Sequence, residues 1–305
     1  MTPSPPDAAP ARPCPRCGAL NGENFDRCIR CGALFSALAA QAGRVGNRLN
    51  GQNLLATKIL IGLTCLIFAA QLRAALARGE DVPVLPGGDH VADAIRVGSL
   101  LILPGQPFEP WRLLSAVFVH FGIIHFGMNM LALTNLARIA EPATGSARFT
   151  IAYVITGIIG FGASVAWSAF VDRQVIHTAG ASGAIFGVMG LILGVLIRRR
   201  DPRWKQFALK AVLYSLLFGL MIRANNAAHL GGLLAGIGFG LLFAGPRRQR
   251  LEFAVNVAAV ASLIACVVAL ALAQMSPLWS RIDALYSARD SGAAGAPAPR
   301  VLAGG

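Results

Sequence analysis

Gly180-Ala-Ser-Gly-Ala-Ile-Phe-Gly-Val-Met-Gly-Leu-Ile-Leu-Gly-Val-Leu-Ile197 is the stretch on which the fold turns. It places a serine among small residues at the start of a strongly apolar helix, expected over Ser182 to Ile197, with Gly183, Gly187, Gly190 and Gly194 recurring along it at helical period. Small-residue stripes let membrane helices approach closely, because lipid tails compete with every larger apolar contact. A second stripe, Gly232, Gly236 and Gly240, continues the face of another apolar segment that carries His229. A hydroxyl and an imidazole are both short, so they meet only across such a close approach.

The composition supports a membrane setting. The chain has 305 residues, of which 55% are hydrophobic and 13% charged, and its mean hydropathy of +0.60 is too high for an ordinary soluble domain. The requirement for about 20 apolar residues per crossing gives seven expected spans, at 54–73, 113–137, 149–170, 182–197, 206–222, 226–244 and 253–274. The expected class is an all-α polytopic membrane protein. No Asp or Glu falls inside the five spans between 113 and 244 as drawn. That argues against a transporter, which would hold ionisable groups at mid-membrane depth.

Orientation follows from the basic residues of the short loops. Arg138, Arg148, Arg198, Arg199, Arg200, Arg203, Lys205, Arg247, Arg248 and Arg250 fall on one side, and only Arg173 and Arg223 in the short loops opposite. The amino terminus is therefore expected in the cytoplasm and the carboxy terminus outside. The same clustering accounts for most of the net charge of +13, so no nucleic-acid partner is expected.

The first fifty residues are a different material. Residues 1–13 lack the basic and apolar regions of a signal peptide and are expected to be disordered. Cys14-Pro-Arg-Cys17-Gly18 and Cys28-Ile-Arg-Cys31-Gly32 follow, with ten residues between Cys17 and Cys28. Two such knuckles suit a four-thiolate zinc site in a reducing compartment, and a pair of disulfides in an oxidising one. The expected divisions are a tail 1–13, a zinc-ribbon-like module 14–32, a linker 33–52, a membrane domain 53–245, a further membrane helix 246–275 and a disordered tail 276–305. Cys65 and Cys266 fall in apolar helices and are expected to be inert core residues.

The topology brings the polar residues to one layer. Ser182, His229, His125 and Asn129 all lie near the outer ends of their spans, and the i, i+4 relation sets His125 and Asn129 on one helical face. The pattern points to nucleophilic catalysis by a dyad, with Ser182 as nucleophile and His229 as base. The Ser182 backbone N–H, the Asn129 amide and a His125 nitrogen would stabilise an oxyanion. Of the loop acids, Asp172 is on the correct side and Glu141 on the other. His120, His177 and Asn226 add polarity at the outer ends, and His177 is expected to bond backbone as an interfacial residue.

Trp111-Arg112, His120, His125-Phe-Gly-Met-Asn129, Gly180-Ala-Ser182-Gly183 and Ala228-His229-Leu-Gly-Gly232, in this order, resemble the rhomboid intramembrane serine proteases over about Asn53 to Gly245. The resemblance implies a six-helix bundle, here followed by an extra helix. It also implies cleavage of transmembrane segments of other proteins near the outer face, with no cofactor for catalysis. It assigns Ser182 as nucleophile, His229 as base and His125 and Asn129 as oxyanion donors, and it treats Glu141 and Gly145 as structural. The segment 76–112 would be the family's membrane-associated first loop, carrying Trp111 and Arg112, and the fifth span would help form a lateral gate. Some bacterial members have Tyr where this chain has Phe186, a ring able to pack under His229 without offering a hydroxyl. The rival expectation is a catalytically inactive rhomboid-like protein that binds membrane clients. For a bacterial chain the expected location is the cytoplasmic (inner) membrane.

Overall fold

The computed structural model describes residues 11–14, 19–22, 27–31, 54–77, 84, 91–102, 107–172, 176–221, 225–245 and 249–278. The chain divides into two compact units, Met1–Asn53 and Leu54–Gly305.

In the first unit, β1 (Ala11–Pro13) pairs antiparallel with β2 (Leu20–Gly22), Ala11 opposite Gly22. Ala11–Pro13, expected inside a disordered tail, are thus part of a hairpin that presents Cys14 at its turn. Asn21 is 2% exposed and braces the next turn: its Nδ2 donates to the Ala19 carbonyl at 2.6 Å and its Oδ1 accepts from Ile29 N–H at 2.8 Å. Residues 1–10 and 32–53, with the remainder of the expected tail and the linker, lie outside the described residues.

The second unit is helical. Its helices are α1 (Leu55–Ala77), α2 (Val91–Val97), α3 (Arg112–Ser115), α4 (Ile123–Thr144), α5 (Ser146–Trp167), α6 (Ser182–Arg198), α7 (Trp204–Met221), α8 (Asn226–Phe243) and α9 (Gln249–Met275). A two-stranded antiparallel pair, β3 (Leu100–Ile102) with β4 (Ile176–Thr178), joins the segment before α3 to the segment before α6. Helices α1, α5, α8 and α9 are each long and apolar enough to cross a membrane, and α6 is a shorter apolar helix of 17 residues. The protein is a multi-pass membrane protein of the all-α class.

The expected second span, 113–137, is two pieces. Arg112–Phe118 and Ile123–Thr144 meet at a 92° bend. Val119 is extended and Gly122 has φ 116°, a left-handed value that costs little only for glycine. Hydropathy runs unbroken through the bend, which is why length and composition drew one span. Because α4 consequently ends at Thr144, Glu141 lies inside a helix, contrary to the expectation that these spans hold no acid. Its buried carboxylate accepts from Ala56 N–H (2.9 Å), Thr57 N–H (3.0 Å), Thr57 Oγ1 (2.5 Å) and Ser146 Oγ (2.6 Å). Those N–H groups belong to the first turn of α1, which has no partners within its own helix. Glu141 and the Gly145 turn are therefore the joint of α1, α4 and α5.

Helix α6 is central, with Ala184, Val188 and Leu191 fully buried. Protein rather than lipid surrounds it, so it needs less than the length of an independent span. Against α8 the approach is backbone to backbone. A Cβ on Gly190 would lie 2.1 Å from the Leu233 carbonyl oxygen, and one on Gly236 would lie 2.0 Å from that of Gly187.

Helix α9 is fastened at both ends. Near its start, Glu252 takes a bidentate pair from Arg148 of α5 at 3.0 and 2.6 Å. At its far end Gln274 donates to the Arg96 carbonyl (3.0 Å) and Ser276 to Glu109 Oε1 (2.6 Å). Glu109 also pairs with the fully buried Arg112, which donates to the carbonyls of Ile95 (2.8 Å) and Ser99 (2.9 Å). Ser276 and Leu278, expected in a disordered tail, are buried; residues 279–305 lie outside the described residues. Cys266 is buried as expected, whereas Cys65 is exposed on the outer face of α1 and is not a core residue.

Candidate active site

The turn into α6 is held by backbone. Gly180 adopts φ 130°, its N–H donates to the Ala116 carbonyl at 2.9 Å, and the next N–H, of Ala181, donates to His120 Nε2 at 3.3 Å. His120 is fully buried. Ser182 is then the first residue of α6, where backbone N–H groups lack intrahelical acceptors and point outward from the helix start.

His229 sits in the first turn of α8, its N–H bonded to the Asn225 carbonyl at 3.1 Å. Its Nε2 lies 2.8 Å from Ser182 Oγ. The Phe186 ring stacks on the imidazole with centroids 4.2 Å apart and planes within 8°, which fixes the ring plane. Phe186 is one turn beyond Ser182, so one helix supplies both the hydroxyl and the platform. His229 Nδ1 is buried and has no hydrogen-bond partner among the described residues. Glu141 is at the α1–α4–α5 joint, and the side chain of Asp172 lies outside the described residues.

His125 and Asn129 open α4. Phe121 N–H donates to His125 Nδ1 at 3.3 Å, so in the neutral ring the proton sits on Nε2. That nitrogen reaches the nucleophile's turn: it lies 2.9 Å from where a Cβ on Gly180 would sit. Asn129 is 7% exposed, and its Nδ2 donates to the His125 carbonyl at 2.8 Å, leaving a second N–H on the same nitrogen. Ser182, His229, Phe186, Gly180 and His125 thus come together. Gly183 and Gly232 form the contact beneath them, a Cβ on Gly232 meeting the Gly183 carbonyl oxygen at 2.1 Å. Trp111 and Arg112 are not at this site; Arg112 organises the α2–β3 segment.

Two outer polar residues differ from expectation. His177 bonds a side chain rather than backbone, its Nε2 3.1 Å from Ser99 Oγ, because pairing with β3 already occupies its strand. Burial, with Arg112 nearby, lowers its pKa to about 4. Asn226 is exposed, and the neighbour, Asn225, carries the structural role. Its Oδ1 accepts from Ala228 N–H at 3.1 Å, and its Nδ2 donates to Ser164 Oγ (2.5 Å) and Thr178 Oγ1 (3.3 Å). An Asn three residues before the third helical N–H is a legible N-cap signal, but its cross-links to α5 and β4 are not.

In the N-terminal unit, the Sγ atoms of Cys14, Cys28 and Cys31 lie within 4.8 Å of one another. Cys14 and Cys31 are 3.7 Å apart, far from a disulfide's ~2.05 Å. That separation matches the ~3.8 Å edge of a tetrahedron with ~2.3 Å zinc–sulfur bonds. Arg30 N–H donates to Cys28 Sγ at 3.4 Å, a bond that favours the thiolate form a metal binds. The donor set fits a metal, and Cys17 lies outside the described residues.

Residues 107–246, which contain both Ser182 and His229, match the Rhomboid domain. The chain therefore carries a rhomboid domain. It is 35% identical to rhomboid protease GluP of Bacillus subtilis over 161 residues, 50% of this chain and 31% of that relative. To the mitochondrial RHOMBOID-like protein 6 of Arabidopsis thaliana it is 35% identical over 142 residues, 45% of each chain. To rhomboid-type serine protease 2 of Emericella nidulans it is 30% identical over 165 residues, 52% of this chain and 31% of the relative. The chain spans about a third to a half of the length of these relatives. The N-terminal hairpin, α1 and α9 lie outside residues 107–246.

Proposed function

We propose that the chain is an intramembrane serine endopeptidase that cleaves transmembrane segments of other membrane proteins near the outer face. The observation that carries this is the 2.8 Å contact of Ser182 Oγ with His229 Nε2. His229 takes the serine proton as Oγ attacks the scissile carbonyl and returns it to the leaving amine; water then hydrolyses the acyl-enzyme. The stacked Phe186 ring, rather than an acid at Nδ1, orients the base. The Ser182 N–H, His125 Nε2–H and the second Asn129 N–H serve the oxyanion, each such donor contributing about 2.7–4 kcal/mol to the transition state.

The catalytic domain is residues 53–245, with α9 as an added helix. The basic loops favour a cytoplasmic amino terminus and an external carboxy terminus in the cytoplasmic membrane of a bacterium. In that reducing compartment Cys14, Cys17, Cys28 and Cys31 would hold a structural zinc ion in the module 14–32; catalysis uses no cofactor.

The test is cleavage of a transmembrane substrate in proteoliposomes, with fluorophosphonate labelling at Ser182. Ser182→Ala is expected to lose both. Cleavage by Ser182→Ala at the wild-type rate refutes the mechanism, and a wild type that neither cleaves nor labels leaves a client-binding protein. Metal analysis of the purified chain is expected to find zinc that Cys14→Ser releases; finding these cysteines disulfide-bonded in cells reverses the topology.

A further inference from the structure

We propose that Asn225 is a positioning residue for catalysis, tying the helix of the base to the strand that leads into the nucleophile. The inference rests on the Ser182–His229 reading above. Asn225 engages both ends of its amide and its carbonyl at once. Oδ1 caps α8 at Ala228 N–H (3.1 Å), and the main-chain carbonyl receives His229 N–H (3.1 Å). Nδ2 crosses to Ser164 Oγ of α5 at 2.5 Å and to Thr178 Oγ1 of β4 at 3.3 Å. The cap determines which end is which, because only an acceptor can face Ala228 N–H, so the two donors must turn toward the hydroxyls.

The location gives these bonds their purpose. Thr178 is paired with Leu100 of β3 and stands two residues before Gly180, whose N–H is itself anchored to Ala116. His229 is the residue one turn after Asn225. Displacement of α8 along its axis or rotation about it would move His229 Nε2 away from Ser182 Oγ. The glycine contacts set how close α6 and α8 come, but they are smooth surfaces and resist such sliding weakly. Asn225 supplies the directional restraint at the end of α8 where the chemistry occurs.

Asn225→Ser separates the two roles. Serine is as good an N-cap as asparagine, so α8 keeps its cap, but it has no arm to reach Ser164 or Thr178. The measurements are the fluorophosphonate labelling rate at Ser182, kcat and KM for a transmembrane substrate, and the thermal unfolding midpoint, all on the full chain in proteoliposomes. The expected result is a fall of about ten-fold in both labelling rate and kcat, with KM and the unfolding midpoint unchanged. The double variant Ser164→Ala/Thr178→Val is expected to reproduce it, and adding Asn225→Ser to that pair to do no more. Labelling and kcat equal to wild type in Asn225→Ser overturn the inference, as does an activity loss matched by a lowered midpoint in both variants. A wild type that does not label Ser182 removes the dyad reading and this inference with it; a wild type that labels beside an equally fast Asn225→Ser removes this inference alone.

Discussion

Gly236→Ala tests whether the glycine contact of α6 and α8 sets the catalytic distance. The new methyl would lie 2.0 Å from the Gly187 carbonyl oxygen and 2.9 Å from the Gly187 Cα. Ordinary carbon–oxygen contact begins at about 3.3 Å, so the helices must part by about 1.3 Å. Both obstacles are backbone, which no rotamer change relieves. Gly236 is seven residues, two turns, from His229, and thus on the same face. If the helices separate as rigid rods, the Ser182–His229 contact lengthens from 2.8 Å to about 4.1 Å, outside hydrogen-bond range. Misplacement on this scale costs about a hundred-fold in turnover. Gly238 is the control: it belongs to the same helix, has nothing within 4 Å of an added Cβ, and as alanine gains up to about 1 kcal/mol of helix propensity. Kinetics of substrate cleavage and Ser182 labelling are the assays. Wild-type kinetics in Gly236→Ala, or an equal loss in Gly238→Ala, would refute the argument that backbone approach sets the dyad.

Glu141→Gln replaces a group whose two oxygens each accept an α1 backbone N–H by one that must turn its N–H₂ toward one of those N–H groups, and is expected to destabilise the membrane unit by about 2 kcal/mol, read as a lowered unfolding midpoint. Removal of Phe186 as a platform, in Phe186→Ala, should lower kcat more than KM, whereas Phe186→Tyr, which keeps the ring, should retain most activity; equal kinetics in Phe186→Ala would dismiss the ring's role. His177 gives a pH signature. Its folded pKa of about 4 lies below the ~6.5 of an unfolded histidine, so between these values the unfolded chain binds more protons. Its contribution is fully present above about pH 6.5 and declines as pH falls toward 4. His177→Gln should flatten the dependence of unfolding midpoint on pH over that window, and an unaltered slope would contradict the assignment.

The parts of the fold carried by repetition were readable in the sequence. Glycine at helical period marked α6 and α8 as close partners, and apolar runs marked α1, α5, α6, α7, α8 and α9 to within a few residues. Features that depend on one backbone angle or one side-chain direction were not. The bend between α3 and α4 rests on Gly122 within an uninterrupted apolar run, so no count of hydrophobic residues separates it. Glu141 falls outside a span drawn to 137 because the apolar run ends there, yet the helix continues to Thr144 past Pro142, with the carboxylate satisfied by α1. An Asn-Asn pair announces an N-cap, but only the start of α8 decides that Asn225 rather than Asn226 provides it. His177 differs because its partner, Ser99, is 78 residues away in sequence and joins it through a sheet that short strands do not announce.

The two-ended fastening of α9 makes the carboxy-terminal end a mechanical input. Tension applied beyond Leu278 would be borne first by Ser276 on Glu109, and from Glu109 by Arg112, whose guanidinium grips the Ser99 carbonyl. Ser99 holds His177, and His177 is three residues from Gly180. A pull at the tail is therefore delivered to the strand that leads into the serine's helix, while the Arg148–Glu252 pair at the opposite rim keeps the helix from simply sliding out under load.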